Sequence, residues 1–426
     1  MSKKISEEAI LQFKKFFQYG IGNVFAILIP IIVSKRVLDI CGEDKFGKIS
    51  IAVSVCFILS ILIDFGSFVS PLKKVSVNRN NLDKLNKIFS VVFFGRILLF
   101  FPTLFLLVCL LLFVPYFSNN IVLYSLCCSI FIGQILNPLY FYQGLEDFKN
   151  TAIFTALSKF LYVVFVLVFI NKETDFIYVN FLLGSANIII FVIAMYFLYK
   201  KYKVRLVGVT RTELAEYIRE DSHLLINNFS LVSITYAPII FIGIIAGEFW
   251  AGIYKVLDIF VTLLRNYLLL FFNSIYPKTC LLLSESHSKG SKFILKYSII
   301  SSVLLAFIIV VSIIFKNYFL LYFLKNNSDT ISKYFNWVGI PVLIASFNIP
   351  FLQILFFYNK KKYYTIIYFL VSIINIASNY ILIYYYQIEG LIIALIITEL
   401  LLTCLFMVST ELLLKKIAVF KNFRIQ

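Results

Sequence analysis

The sequence predicts an all-α, polytopic membrane protein of about 12 transmembrane helices in two pseudo-symmetric halves. Three observations predict it. The 426 residues are 61% hydrophobic and only 14% charged, with a mean hydropathy of +0.92; a soluble domain is near half apolar and about a quarter charged. Twelve apolar runs approach or exceed the roughly 20 residues that a bilayer crossing needs. Lys and Arg are shared unequally between alternate loops, as they are in membrane proteins of fixed orientation.

In chain order the runs are roughly 16–34, 49–69, 88–114, 121–142, 151–170, 176–199, 223–246, 250–277, 294–316, 336–358, 365–386 and 390–413. Lys3, Lys4, Lys14 and Lys15 precede the first. No small-x-small cleavage site follows it, so it reads as an uncleaved span. Two thirds of the 39 Lys and Arg fall in the tails and alternate loops on one side, which places both termini in the cytoplasm. The longest loop on that side, "KKYKVRLVGVTRTELAEYIRED", divides the chain almost in half. The resulting organisation is an N-terminal six-helix bundle over 1–199 and a basic cytoplasmic linker over 200–222. A C-terminal six-helix bundle with a short cytoplasmic tail follows over 223–426. The net charge of +17 fits loops lying against anionic lipid head groups, not nucleic acid. Five of the seven Cys lie within apolar runs, so no disulfide framework is expected. The two His, His223 and His287, have no ligand spacing around them, so no metal site is expected.

The halves resemble each other. Asn23, Pro30-Ile31-Ile32, Gly42-Glu43 and Gly47 in the first correspond to Asn228, Pro238-Ile239-Ile240, Gly247-Glu248 and Gly252 in the second. The Gly-Glu-x-x-x-Gly pattern falls at the same hairpin each time. Spans 1 and 7 enter the membrane the same way, so this is a parallel repeat, and transporters built so bind their substrate near the repeat interface.

Several motifs resemble those of a known family. "CGEDKFGKISIAVSVCFILSILIDFGSFVSPLKK" resembles the first hairpin of polysaccharide flippases, with Asp64-Phe65-Gly66 closing the second span. "NPLYFYQGLEDFKN" resembles their signature at the end of span 4, with Tyr140 or Tyr142 where a Trp is usual. "APIIFIGIIAGEFWAGIYKVLDI" resembles the span 7–8 hairpin, and "YYYQIEGLIIALIITEL" the start of the last span. The chain therefore resembles a Wzx-type O-antigen flippase of the multidrug/oligosaccharidyl-lipid/polysaccharide (MOP) exporter superfamily. The resemblance implies a MATE-like fold of two six-helix bundles around a central cavity. It also implies a cargo, an undecaprenyl-diphosphate-linked oligosaccharide moved from the cytoplasmic to the periplasmic leaflet of a bacterial inner membrane. Implied partners are membrane lipids, a polysaccharide polymerase and a chain-length regulator.

Charges inside the spans bear on that expectation, because each costs about 2.5–3.5 kcal/mol at bilayer depth on insertion scales. In "YKVLDIFVTLLRN", Lys255, Asp258, Thr262, Arg265 and Asn266, with Asn273 further on, share one helical face about 100° wide. Asp258 can neutralise Lys255 and Arg265 together, a triplet that leaves one net cation unpaired, or the stripe can line a cavity. An anionic diphosphate makes Arg265, Lys255, Arg96, Lys159, Asn266 and Asn273 candidate cavity-lining residues. Arg96 can instead snorkel to the interface. Asp258, Asp64 and Glu399 are candidate counter-ions or ion-coupling groups. With no phosphate-binding loop for ATP, no cofactor is expected and an H⁺ or Na⁺ gradient is the expected driving force. Rival readings are a polymerase or glycosyltransferase, a drug or ion antiporter of the same superfamily, and a peptidoglycan-lipid flippase. The cations in spans 3, 5 and 8 disfavour a cationic drug, and no paired-carboxylate constellation favours an enzyme.

Overall fold

The computed structural model describes the backbone of residues 2–324 and 328–423, and the side chains from 29 to 414 except 221, 223, 325–330 and 361. Asn23, His223 and the four N-terminal lysines named above lie outside the described side chains. The described residues contain helices and no strand. They fall into two compact units, residues 1–229 and 230–426.

The first unit contains α1 (Ser2–Asp64), α2 (Ser70–Val77), α3 (Leu82–Phe113), α4 (Pro115–Ser118), α5 (Ile121–Leu136) and α6 (Leu139–Gly144). It continues with α7 (Phe148–Phe169), a 3-10 turn (Glu173–Tyr178) and α8 (Val179–Tyr202). Helix α9 (Arg211–Ala246) begins in the first unit and ends in the second. The second unit continues with α10 (Glu248–Glu285), α11 (His287–Ile314), α12 (Lys316–Phe323), α13 (Ser328–Val338), α14 (Ile340–Phe357) and α15 (Lys361–Phe423). Ten stretches among the described residues are helical, long and apolar enough to cross a membrane. Two of them lie in helices of 63 residues, roughly three times the length that spans a bilayer core. Each is broken: α1 at Gly42 and α15 at Gln387 (φ 47°, ψ −124°). The breaks divide each long helix into two pieces that can each cross, so the protein is an all-α, multi-pass membrane protein.

The repeated glycines have a physical reason. Gly42 has φ 76°, ψ 175° and Gly247 has φ 102°, and a Cβ at either would meet nothing within 4 Å. Backbone conformation, not space, therefore calls for glycine at both, since a positive φ in this region is strained for any side chain. Each breaks the chain at the hairpin between the first two spans of its half.

Lipid tails are as apolar as leucine, so helices in a membrane are held by close packing and by buried polar bonds. In the first unit, Asn180 donates to the Ile49 carbonyl (2.9 Å) and Ser129 to that of Phe181 (3.3 Å). Gly184 lets α8 approach α5 so closely that a Cβ there would lie 2.1 Å from the Ser129 Oγ. Gly184→Val is therefore expected to destabilise the protein by about 2 kcal/mol through overpacking; an unchanged thermal midpoint in detergent would refute this contact. In the second unit, Ser302 and Ser346 share a hydrogen bond (2.7 Å), and Asn375 donates to Thr398 (2.9 Å).

At the end of α6, the Gln-Gly-Leu-Glu motif leads into the cap of the next helix. Asp147 accepts from the Asn150 N–H (3.3 Å), from Lys201 (2.8 Å) and from the Tyr202 hydroxyl (2.5 Å). Burial pushes its carboxyl up, but these donors outweigh burial and hold it below the usual range. A depressed carboxyl contributes stability above its unfolded value, about pH 4, and loses it as pH falls through the folded value. The stability difference between the parent and Asp147→Asn is thus expected to be flat from neutral pH to about 5 and to shrink only below about 4. Thermal unfolding across that range checks it.

Candidate functional site

Among the described residues, each unit brings charged side chains together within its helices. In the second unit, α9, α10, α14 and α15 enclose a cavity of about 320 Å³. Its lining is mainly apolar, with Thr235, Arg265, Asn273, Tyr276, Asn348, Gln353, Tyr368 and Glu399 supplying the polar groups. Arg265 Nη2 donates to Glu399 Oε1 at 2.7 Å, and Asn348 Nδ2 donates to Oε2 at 2.9 Å. The two partners are unequally placed: the Glu399 side chain is 3% exposed and that of Arg265 39%. The acid is fixed in the wall, and the guanidinium faces open space with donors to spare. Gln353 is held by donation to the Phe272 carbonyl (2.9 Å), which leaves its own Oε1 buried without a partner. Within α14, Pro350 stands between Asn348 and Gln353 and removes one helix hydrogen bond.

The polar stripe of α10 is real but is not one site. Val256, Leu257, Leu264 and Leu268 are buried on the opposite faces, whereas Lys255, Asp258, Thr262, Arg265 and Asn273 keep exposure. Asp258 pairs with Lys255 (2.8 Å), three residues away on the same helix, and neither lines the cavity. Arg265 pairs with Glu399 and so is not neutralised by Asp258. The expectation that the triplet leaves one unpaired cation is corrected here, because helix periodicity shows only local partners and Glu399 lies 134 residues away. Asn273 lines the cavity; Asn266 is half-buried and does not.

In the first unit, Arg96 does not snorkel: it is 1% exposed. The break between α5 and α6 explains why. Pro138 has no N–H, and the end of α5 leaves carbonyls without helical partners. Arg96 Nη1 donates to the carbonyls of Asn137 (2.6 Å) and Ile135 (3.4 Å), while Nη2 lies 3.6 Å from Asp64 Oδ1. Its guanidinium sits over the Tyr140 ring (5.0 Å to the centroid), and Asp64 also accepts from Gln134 (2.8 Å). Arg96 therefore caps a broken helix, where a cation is favoured by the carbonyls and the helix dipole. The Asn-Pro-Leu-Tyr stretch supplies both the break and the ring. Lys159 is half-buried on α7, and no described residue gives it a hydrogen bond or counter-ion. No group of three His, Cys, Asp or Glu that could hold a metal occurs among the described residues.

Sequence periodicity points to the amides of the α10 stripe, Asn266 and Asn273, and to none outside it. Asn348 and Gln353 in "SFNIPFLQ", and Gln134 and Asn137 around the break, are polar groups in apolar helices, and that contrast is the signal that marks them.

A family model described as "Polysaccharide biosynthesis protein" matches residues 13–279. Two relatives are named as putative O-antigen transporters. That of Escherichia coli (strain K12) is 20% identical over 263 residues, 62% of this chain and 63% of the relative, so the alignment spans less than two thirds of it. That of Shigella dysenteriae is 21% identical over 396 residues, 92% of this chain and 97% of the relative. Among solved structures, an inward-facing multidrug resistance MATE family transporter of the MOP superfamily superposes with a TM-score of 0.70 at 11% identity, covering 91% of this chain and 96% of that one. The lipid II flippase MurJ in its inward closed conformation gives 0.64 at 14% identity, covering 92% and 87%. At such identities the likeness is one of fold. The chain belongs to the polysaccharide biosynthesis protein family, and it is a multi-pass membrane protein with a MATE-like fold.

Proposed function

We propose that the protein flips an undecaprenyl-diphosphate-linked O-antigen or related polysaccharide repeat unit across a bacterial inner membrane, from the cytoplasmic to the periplasmic leaflet, by alternating access. The reading is supported by the family match, by the relatives named as O-antigen transporters, and by one observation that carries it: Arg265, half open to a cavity at membrane depth, beside an acid fixed in the wall. A guanidinium is suited to a diphosphate because its planar fork donates two parallel hydrogen bonds to phosphate oxygens. Glu399 holds that fork while no cargo is bound. The cargo anion competes with the carboxylate for the same donors, so a neutral pair, not a free cation, receives it. Asn273 and Gln353 offer hydrogen bonds to the glycan, and the polyprenyl tail stays in the bilayer.

Lys159, Lys255 and Asn266 are proposed to attract or guide the head group from outside this cavity. The basic loops are proposed to face the cytoplasm, with both termini on that side. An H⁺ or Na⁺ gradient acting on Asp258, Asp64 or Glu399 is the proposed driving force, and a polymerase with its chain-length regulator the proposed receiver. The test is direct. Purified protein in proteoliposomes should move a labelled lipid-linked oligosaccharide between leaflets faster than empty vesicles; no movement, beside a flippase control that works, overturns the proposed cargo.

A further inference from the structure

The linker between the two halves is not a loose loop, and its packing points to a device that the transport reading does not contain. Over residues 205–208 the chain is pinned along α3: the Arg205 N–H donates to Asn86 (2.8 Å), the Val207 N–H to Ser90 (2.8 Å), and Lys87 to the Gly208 carbonyl (2.9 Å). Helix α9 then starts under a reciprocal cap, with the Thr210 N–H donating to Glu213 (2.8 Å) and the Glu213 N–H to Thr210 Oγ1 (3.4 Å). Two ion pairs fasten its first turns to the rest of the first unit, Lys87 with Glu213 (2.8 Å) and Lys74 with Glu220.

Between those pairs sits Tyr217, which is 3% exposed. Its ring lies 5.7 Å from that of Phe65, and a Cβ on Gly95 would stand 2.7 Å from it. Phe65 and Gly95 are the chain neighbours of Asp64 and Arg96. Phe65 holds φ 46°, a strained conformation for a side chain bulkier than glycine, and this aims its ring at Tyr217. The aromatic ring thus packs against the chain neighbours of both members of the buried pair. The fastenings suit a closure that opens: both ion pairs are solvent-exposed, and pairs of that kind hold weakly. The Lys87–Glu213 pair is not a pH switch, since the bond from Lys87 holds the Glu213 carboxyl down at about 2, so it stays charged at any physiological pH. Helix α9 also runs on to Ala246, so one helix carries both the plug and the first span of the second unit.

We propose that residues 205–220 form a strap that seals the Asp64–Arg96 pair with the Tyr217 ring, and that transport requires the strap to lift. The second clause rests on the transport function proposed above; the first does not. Two measurements keep them apart. Val92 is 2% exposed and lines the same cleft as Tyr217. In full-length Val92→Cys protein, maleimide labelling of the peptide carrying residue 92 should be low, and should rise several-fold when Tyr217→Ala is added while Tyr217→Phe leaves it low. Equal labelling in all three overturns the seal, whatever the cargo. For the gate, Lys87→Cys/Glu213→Cys protein is joined by a short reducible bis-methanethiosulfonate. Translocation of lipid-linked oligosaccharide should stop and return on reduction. Translocation at the reduced protein's rate overturns the gate. Absence of translocation in both forms counts against the proposed cargo, and the labelling still decides the seal.

Discussion

Arg265→Met should destabilise the protein by roughly 3 kcal/mol and stop transport, whereas Arg265→Met/Glu399→Gln should regain most of the stability and none of the transport. The first effect follows from burial. Glu399 is 3% exposed, and removing Arg265 leaves its charge facing the Asn348 amide without a counter-ion. Breaking a buried pair from one side costs about 3–5 kcal/mol, and the partial exposure of Arg265 puts this case at the low end. The amide introduced by Glu399→Gln carries no charge and can still accept from Asn348, so the double variant removes the penalty. Its transport should nonetheless fall about 30-fold or more, the effect of losing a charge partner that contributes at least about 2 kcal/mol to anion binding. Thermal midpoints in detergent and initial flipping rates separate the two. A double variant that flips at the parental rate removes Arg265 from the path.

Arg96→Leu should show the opposite pattern, a loss of folded protein with no specific defect in the molecules that remain. It strands Asp64 and the carbonyls of Asn137 and Ile135, and the expected cost is about 3–5 kcal/mol. Arg96→Lys should recover part of it, since an ammonium reaches one of these acceptors but not all, and cannot lie flat on Tyr140. Per folded molecule, the Lys variant should transport like the parent. If it folds and does not transport, Arg96 belongs to the cargo path, and the capping account fails.

These contrasts show what the sequence could and could not disclose. The span pattern is legible because a bilayer demands about 20 apolar residues, and the Gly42 and Gly247 hairpins because each needs a backbone conformation that only glycine adopts freely. The α10 stripe is legible because helix periodicity is local. The partner of Arg265 is not, since no periodicity relates it to Glu399 across 134 residues. Arg96 shows a different limit. In a window of sequence it is an expensive charge that asks for a function. The break at Pro138, far along the chain, turns that charge into the cap of a helix end. Charge in a span thus has two explanations, and side-chain exposure separates them: 39% for Arg265, 2% for Arg96. The linker reads as a basic loop by composition, yet Asn86, Ser90 and Tyr217 pin it down.

The central claim is that Arg265 receives the cargo's diphosphate and that Glu399 occupies it in the meantime. Binding of undecaprenyl diphosphate to the purified protein, compared between parent, Glu399→Gln and Arg265→Met/Glu399→Gln, tests this most directly. Removing the competing carboxylate should tighten binding in Glu399→Gln, and removing the receptor as well should abolish that gain and weaken binding below the parent. Equal affinities in all three would contradict the claim, because neither side chain would then meet the anion.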